Sequence, residues 1–175
     1  MLSRRLWLVV VVMLIPTAGR AHDHNADYFL AGSYAKGSNI WGLHQAFAKT
    51  IKPGDYDWSV VGDLGFHFGS HDGSGVTRIA FVGGVRYTFP GNPKVHKNRL
   101  SLHALGGGVR THEGAESDTD PALVLGAGYE FLPRGHMSAA GWAFRIQGDY
   151  VVNDRESFPR VSLGFVHRFQ RLPKP

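Results

Sequence analysis

Ser101 and His103 stand two residues apart in an alternating stretch, a spacing that sets both side chains on one face of an extended strand. A serine hydroxyl beside an imidazole is the raw material of an activated oxygen nucleophile, provided that an acid orients the ring. No acid lies nearby in sequence, so a hydrogen-bonded pair is expected rather than a catalytic one. His22, Asp23 and His24 offer two imidazoles and, after cleavage before His22, a free amine to a transition metal. A solvated terminus is the plainer reading. His67, His96, His112 and His136 show no ligand spacing, and Gly106-Gly107-Gly108 lacks the strand-to-helix setting of a phosphate loop. No catalytic residue, metal site or cofactor is expected. More telling are seven charges set inside apolar alternation: Asp63, Arg78, Arg86, Glu130, Arg145, Asp149 and Arg168. The chemistry open to them is mutual pairing, because each is costly alone in a confined space.

The elements that carry these residues are eight runs separated by Gly, Pro, Asn, Asp and Ser clusters, over 27–35, 39–50, 56–68, 76–89, 98–110, 121–131, 140–152 and 159–169. The separators are mostly short, which predicts antiparallel hairpins in up-and-down order. The phase of the alternation is informative. The third run sets Trp58, Val60, Gly62, Leu64, Phe66 and Phe68 against Ser59, Val61, Asp63, Gly65 and His67. The fourth sets Ile79, Phe81, Gly83, Val85, Tyr87 and Phe89 against Arg78, Ala80, Val82, Gly84, Arg86 and Thr88. The sixth opposes Leu123, Leu125, Ala127, Tyr129 and Phe131 to Gly126, Gly128 and Glu130; the seventh opposes Trp142, Phe144, Ile146, Gly148 and Tyr150 to Arg145, Gln147 and Asp149. The last opposes Val161, Leu163, Phe165 and Phe169 to Ser162, Gly164 and Arg168. The second run places Gln45 in line with Trp41, Leu43 and Phe47, and the fifth admits either register around its three glycines.

Two closed barrels fit this alternation: a soluble lipocalin-like carrier with the apolar face inside, and a membrane barrel with that face outside. Aromatics gathered near strand ends on the apolar face, among them Trp58, Tyr87, Phe89, Tyr129, Phe131, Trp142 and Tyr150, match interfacial girdles. The opposite face carries small residues and few charges of both signs, without a lysine, which suits a narrow enclosed lumen. An arginine on the lipid side near the midplane costs roughly 2–4 kcal/mol, so the four arginines belong inside.

The two ends set the compartment. Arg4 and Arg5 precede an apolar run of ten residues, Leu6 to Ile15, then Pro16 and small residues up to Ala21. Residues 1–21 read as a secretory signal peptide, cleaved after Ala21 or, failing that, after Gly19. The run is too short to cross a bilayer as a helix. Without Arg4, Arg5 and Arg20 the Lys+Arg count falls from 19 to 16 against 14 acids, so the net charge falls from +5 to +2 and nucleic-acid binding gains no support. There is no cysteine, so an exported 22–175 domain needs stability from another source, and ring closure of a sheet supplies it by removing its edges.

On these patterns, and most specifically on the terminal strand ending in Phe169, residues 27–169 resemble the small eight-stranded outer-membrane β-barrels, the OmpA-like, OmpX-like and opacity-type porin-family domains. The resemblance implies an all-β, eight-stranded, antiparallel up-and-down transmembrane barrel in the bacterial outer membrane, monomeric, surrounded by lipid and lipopolysaccharide. It also implies that Leu163, Phe165 and Phe169 form the signal read by the barrel-assembly machinery. A periplasmic N-terminus then sends the connections near 36–38, 69–75, 111–120 and 153–158 outward, with the acidic run from Glu113 to Asp120, Asp72, Asp154 and Glu156. Lys52, Lys94, Lys97 and Arg134 lie on the opposite turns. The expected role is structural or interactive. The alternatives are a lipid A deacylase-like enzyme, since such enzymes use Ser and His on a barrel wall, a narrow pore, and the soluble carrier.

Overall fold

The computed structural model describes residues 26–36, 40–52, 57–71, 74–89, 98–131 and 141–169. The leader, His22 to His24, and the turns with Lys94, Lys97 and Arg134 lie outside them. Eight strands follow in order: β1 (Ala26–Ala35), β2 (Ile40–Lys52), β3 (Asp57–His71), β4 (Ser74–Thr88), β5 (Arg99–Glu113), β6 (Glu116–Phe131), β7 (Trp142–Asn153) and β8 (Ser157–Phe169). Each pairs antiparallel with the next, and β8 returns to β1, closing the ring.

The register fixes the geometry of that ring. Starting at Ala127 on β6, the pairs run through Gly148, Val161, Tyr34, Trp41, Phe68, Thr77 and His112 and come back to β6 at Ser117, ten residues from the start. A stagger of ten over eight strands, with ordinary strand rise and spacing, tilts the strands by about 41° from the barrel axis. A ring this narrow has an interior that side chains fill.

The apolar face turns outward. Phe68, Phe81 and Phe165 are nearly half exposed, while Arg86, Arg145 and Arg160 are buried in the interior. This is the inverse of a lipocalin-like carrier. The outer face is far larger than the few hundred Å² of contiguous apolar surface that a soluble monomer tolerates. Near the chain termini it carries touching aromatics: Trp58 with Tyr87, Tyr87 with Phe89, Tyr129 with Phe131, and His167 between Trp142 and Phe169. Toward the far end Tyr34 packs on Trp41. Trp58 and Phe68 are ten residues apart on β3, which at the computed tilt is about 25 Å along the axis, the height of a membrane barrel's apolar band.

The two strands of uncertain facing resolve. Leu100, Leu102, Ala104, Gly106 and Gly108 of β5 face outward, and Ser101, His103, Leu105 and Val109 face inward. Gln45 does lie on the outer face of β2, yet only 7% of it is exposed, and its Oε1 accepts a 2.8 Å hydrogen bond from the Tyr28 hydroxyl. Beside this pair a hollow of about 470 Å³ opens over Gly62, walled by Phe47, Leu64 and Phe81.

The far-end hairpins are longer than expected. The 111–120 connection is strand on both sides of a two-residue turn at Gly114 and Ala115, with Glu113 opposite Glu116 and Gly114 at a φ of 60°. A left-handed backbone there favours glycine. Polar residues on both faces hid this extension, since alternation shows only where one face is apolar. β6 meets β7 only from Ala122 onward, leaving Glu116 to Pro121 as a free edge. That edge is blunted: the Thr119 amide donates to Asp118 Oδ1 at 2.8 Å, Pro121 has no amide hydrogen, and Arg155 reaches Asp118 and Asp120.

Candidate functional site

The interior is the chemically loaded part of the molecule. Below the far rim, and among the described residues, six acids (Asp27, Asp57, Asp63, Glu130, Asp149, Glu156) stand with six arginines (Arg78, Arg86, Arg99, Arg145, Arg160, Arg168), in three tiers.

In the middle tier Arg160 of β8 lies between two carboxylates. Its Nε donates to Asp149 Oδ2 at 2.7 Å and its Nη2 to Asp63 Oδ2 at 3.3 Å. Each carboxylate also holds an imidazole: His44 Nε2 donates to Asp63 Oδ2 at 2.5 Å, and His103 Nε2 to Asp149 Oδ1 at 2.9 Å. Gln147 Nε2 adds bonds of 3.2 and 3.3 Å to Asp149. His44 Nδ1 meets Ser162 Oγ at 2.9 Å, and His67 Nε2 meets Ser33 Oγ at 2.7 Å. Room for this tier comes from inward glycines. A Cβ on Gly126 would stand 2.4 Å from Asp149 Oδ1 and 2.5 Å from His103 Nε2, and one on Gly65 would stand 3.0 Å from Arg160 Nη1.

The terminal tier joins seven strands, all but β2. Arg86 Nη1 donates to Asp27 Oδ1 at 3.1 Å, and Arg86 Nη2 bonds the other oxygen. Arg145 Nε donates to Glu130 Oε1 at 3.1 Å while its Nη2 lies 3.5 Å from Asp27, and Arg168 bonds Glu130 Oε2. Arg99 reaches Asp57 at 3.9 Å. The Arg145 guanidinium also sits 4.9 Å over the Phe29 ring. At the far tier Arg78 bonds Glu156 Oε2 at 2.5 Å and stacks 4.9 Å over Phe158. Valines and alanines such as Val61, Val82, Val124 and Val151 fill the space between tiers.

All seven charges singled out in the sequence, Asp63, Arg78, Arg86, Glu130, Arg145, Asp149 and Arg168, meet in this interior. Five partners were missed. Arg160 lies four turns of the period-2 count before Arg168 and was readable by parity. Asp27, Asp57, Arg99 and Glu156 sit at strand ends, where two or three residues give no alternation to read; the sequence predicts an outward loop for Glu156, yet its carboxylate turns back to Arg78. Ser101 and His103 do share the inner face, but the Ser101 hydroxyl donates to the Gly128 carbonyl at 3.3 Å. The acid beside His103 is Asp149, two strands away in the ring. Leu163, Phe165 and Phe169 face outward on β8. Among the described residues there is no cluster of three or more metal-ligating side chains.

A closed antiparallel ring of eight strands with an apolar outside and a paired, charged inside is the architecture of small outer-membrane barrels. No family model and no curated protein matches the sequence. Solved structures do. Ail from Yersinia pestis in a phospholipid nanodisc aligns over 85% of this chain and 100% of its own at TM-score 0.52 and 17% identity. Neisserial surface protein A aligns over 83% and 97% at TM-score 0.55 and 11% identity. The outer membrane enzyme PagL aligns over 81% and 98% at TM-score 0.52 and 14% identity. At these identities the likeness is one of fold.

Proposed function

We propose that the chain is an integral protein of the bacterial outer membrane with a structural and surface-contact role. In this reading residues 1–21 direct export and 22–175 form the mature domain. Leu163, Phe165 and Phe169 of β8 are the segment read by the barrel-assembly machinery, and the finished monomer sits in phospholipid and lipopolysaccharide with its termini in the periplasm. The β3/β4 and β5/β6 hairpins then rise from the cell surface.

The observation that carries this reading is the inversion of the two faces, with the lumen filled by its own ion pairs. Paired arginines set fixed charge across the middle of a narrow ring, so steady single-channel conductance in planar bilayers is not expected. Ser101 and His103 face that filled lumen, turned away from a surrounding acyl chain, so we assign the pair to the packing network rather than to lipid hydrolysis. Ail is described as an attachment invasion locus protein and Neisserial surface protein A as a surface protein, which fits a contact role. PagL carries the same fold as an enzyme, and lipid A modification is the alternative to test.

The deciding experiment expresses the chain with its own leader, then follows heat-modifiable gel migration of the outer-membrane fraction and protease cleavage at the Gly114 turn on intact cells. Membrane-bound, heat-modifiable protein cleaved from outside supports the reading. A mature chain that stays soluble without detergent defeats it, and lipid A altered by the wild type but not by a Ser101→Ala variant replaces the structural role with an enzymatic one.

A further inference from the structure

Three glycines lie side by side on the outward face: Gly62 of β3 pairs with Gly83 of β4, and Gly83 with Gly106 of β5. Glycine inside a strand marks a bulge, a tight bend, or a close approach by other backbone or by a ligand. No bulge interrupts these pairings, and the bend of a sheet around a barrel crowds its inner face rather than its outer one. Backbone accounts for the inward Gly84 and Gly107, where a Cβ would collide with the neighbouring strand, but a Cβ on Gly62 or Gly106 would meet nothing within 4 Å. Leu64 and Phe81 rise on one side of the row and Val60 and Val85 on the other, which makes it a furrow. At Gly62 it opens into the hollow of about 470 Å³, within the size range of ligand sites.

The furrow has a charged foot. From β2 to β5 each paired row climbs by about 3 Å along the barrel axis per strand, away from the termini. Lys49, which pairs with Val60, therefore lies nearly level with Trp58 of the terminal girdle, and Gly62, Gly83 and Gly106 lie about 10, 13 and 16 Å beyond that level. Lys49 is exposed and makes no ion pair among the described residues, and no acid faces outward from β1 to β4. Its long stem lets the ammonium stay at the membrane interface. A free cation at girdle level, at the foot of an apolar furrow that climbs past the middle of the apolar band, is complementary to a lipid with phosphate at the interface and hydrocarbon beyond it. We infer that the outer wall binds one phospholipid of net negative charge, of the phosphatidylglycerol kind, with its phosphate on Lys49 and one acyl chain over Gly62, Gly83 and Gly106. The inference rests on the membrane reading above and adds one specific lipid to it.

The test uses the full mature chain refolded in neutral detergent, its folding checked by heat-modifiable migration. Phosphatidylglycerol or phosphatidylcholine with the same chains is added, and bound lipid is counted by native mass spectrometry. One lysine near an anionic lipid headgroup strengthens attraction about fivefold. The expected result is a first phosphatidylglycerol adduct, saturating at one per barrel and held about fivefold more tightly than phosphatidylcholine. Lys49→Gln should erase the difference between the two lipids, and Lys49→Arg should keep it. Gly62→Leu, whose side chain enters open space, should fold and lose the first adduct of both lipids. Glycerol 1-phosphate, a headgroup without chains, should not displace the adduct. Equal retention of the two lipids by wild type overturns the inference, as does an adduct that Gly62→Leu leaves intact or that glycerol 1-phosphate displaces. A folded, heat-modifiable barrel without the preferred adduct defeats the lipid site alone, whereas a mature chain that stays soluble and never becomes heat-modifiable defeats the membrane reading and this inference with it.

Discussion

Replacing Arg160 by methionine removes the guanidinium that two buried carboxylates share while keeping much of its stem. Asp149 would retain His103 and Gln147 as donors, and Asp63 would retain His44 alone, since its Oδ1 already lacks a partner. Breaking a buried ion pair by removing one member costs about 3–5 kcal/mol, because the remaining charge stays desolvated. At about 1.4 kcal/mol per decade, that is a loss of roughly 150- to 5,000-fold in the folding equilibrium. The triple variant Arg160→Met, Asp63→Asn, Asp149→Asn removes the stranded charges too and should return to within about 1 kcal/mol of wild type. Urea titration of the vesicle-inserted protein, followed by the fluorescence of the outward Trp41, Trp58 and Trp142, measures all three. A single variant within about 0.5 kcal/mol of wild type, or a triple variant no better than the single one, would refute the view that the middle tier is held by mutual neutralisation.

Three further outcomes follow from the outer face and the seam. A Cβ at Gly164 would stand 2.0 Å from the Leu30 carbonyl oxygen, so Gly164→Ala should cost about 1–3 kcal/mol in the same titration, whereas Gly106→Ala, with nothing within 4 Å, should be neutral. Gln45→Leu alone leaves the Tyr28 hydroxyl without its acceptor and should change stability little, but combined with Tyr28→Phe it should stabilise the vesicle-inserted barrel by about 1 kcal/mol. Phe169→Ala should lower the yield of assembled protein in cells while leaving refolding of the purified chain into detergent intact; equal losses in both would remove the assembly role proposed for the terminal strand.

How much of this was legible in the sequence depended on whether one face of a strand was apolar. β3, β4 and β7 alternate cleanly because one side meets a greasy medium and the other a polar interior, so their facing and their charges followed from parity. The β5/β6 extension was invisible for the opposite reason: from Arg110 to Thr119 both faces meet water. Asp27 and Glu156 lie where alternation has just begun or has ended. The pairing of His103 with Asp149 depends on strands β5, β6 and β7 lying side by side at one register, which no local pattern contains. Gln45 broke the outer pattern because its acceptor need is met by a tyrosine on the neighbouring strand.

The central arginine comes from the last strand to be made, and its partners come from the third and seventh. Sliding β8 by two residues along its neighbours would keep every side chain on its proper face and keep the backbone ladder nearly intact, so hydrophobicity alone would not object. It would, however, carry Arg160 about 7 Å from Asp63 and Asp149 and leave all three stranded. The middle tier therefore works as a lock on ring closure: its penalty falls on the wrong joint between the first and last strands, which are the two that meet only when the barrel is complete.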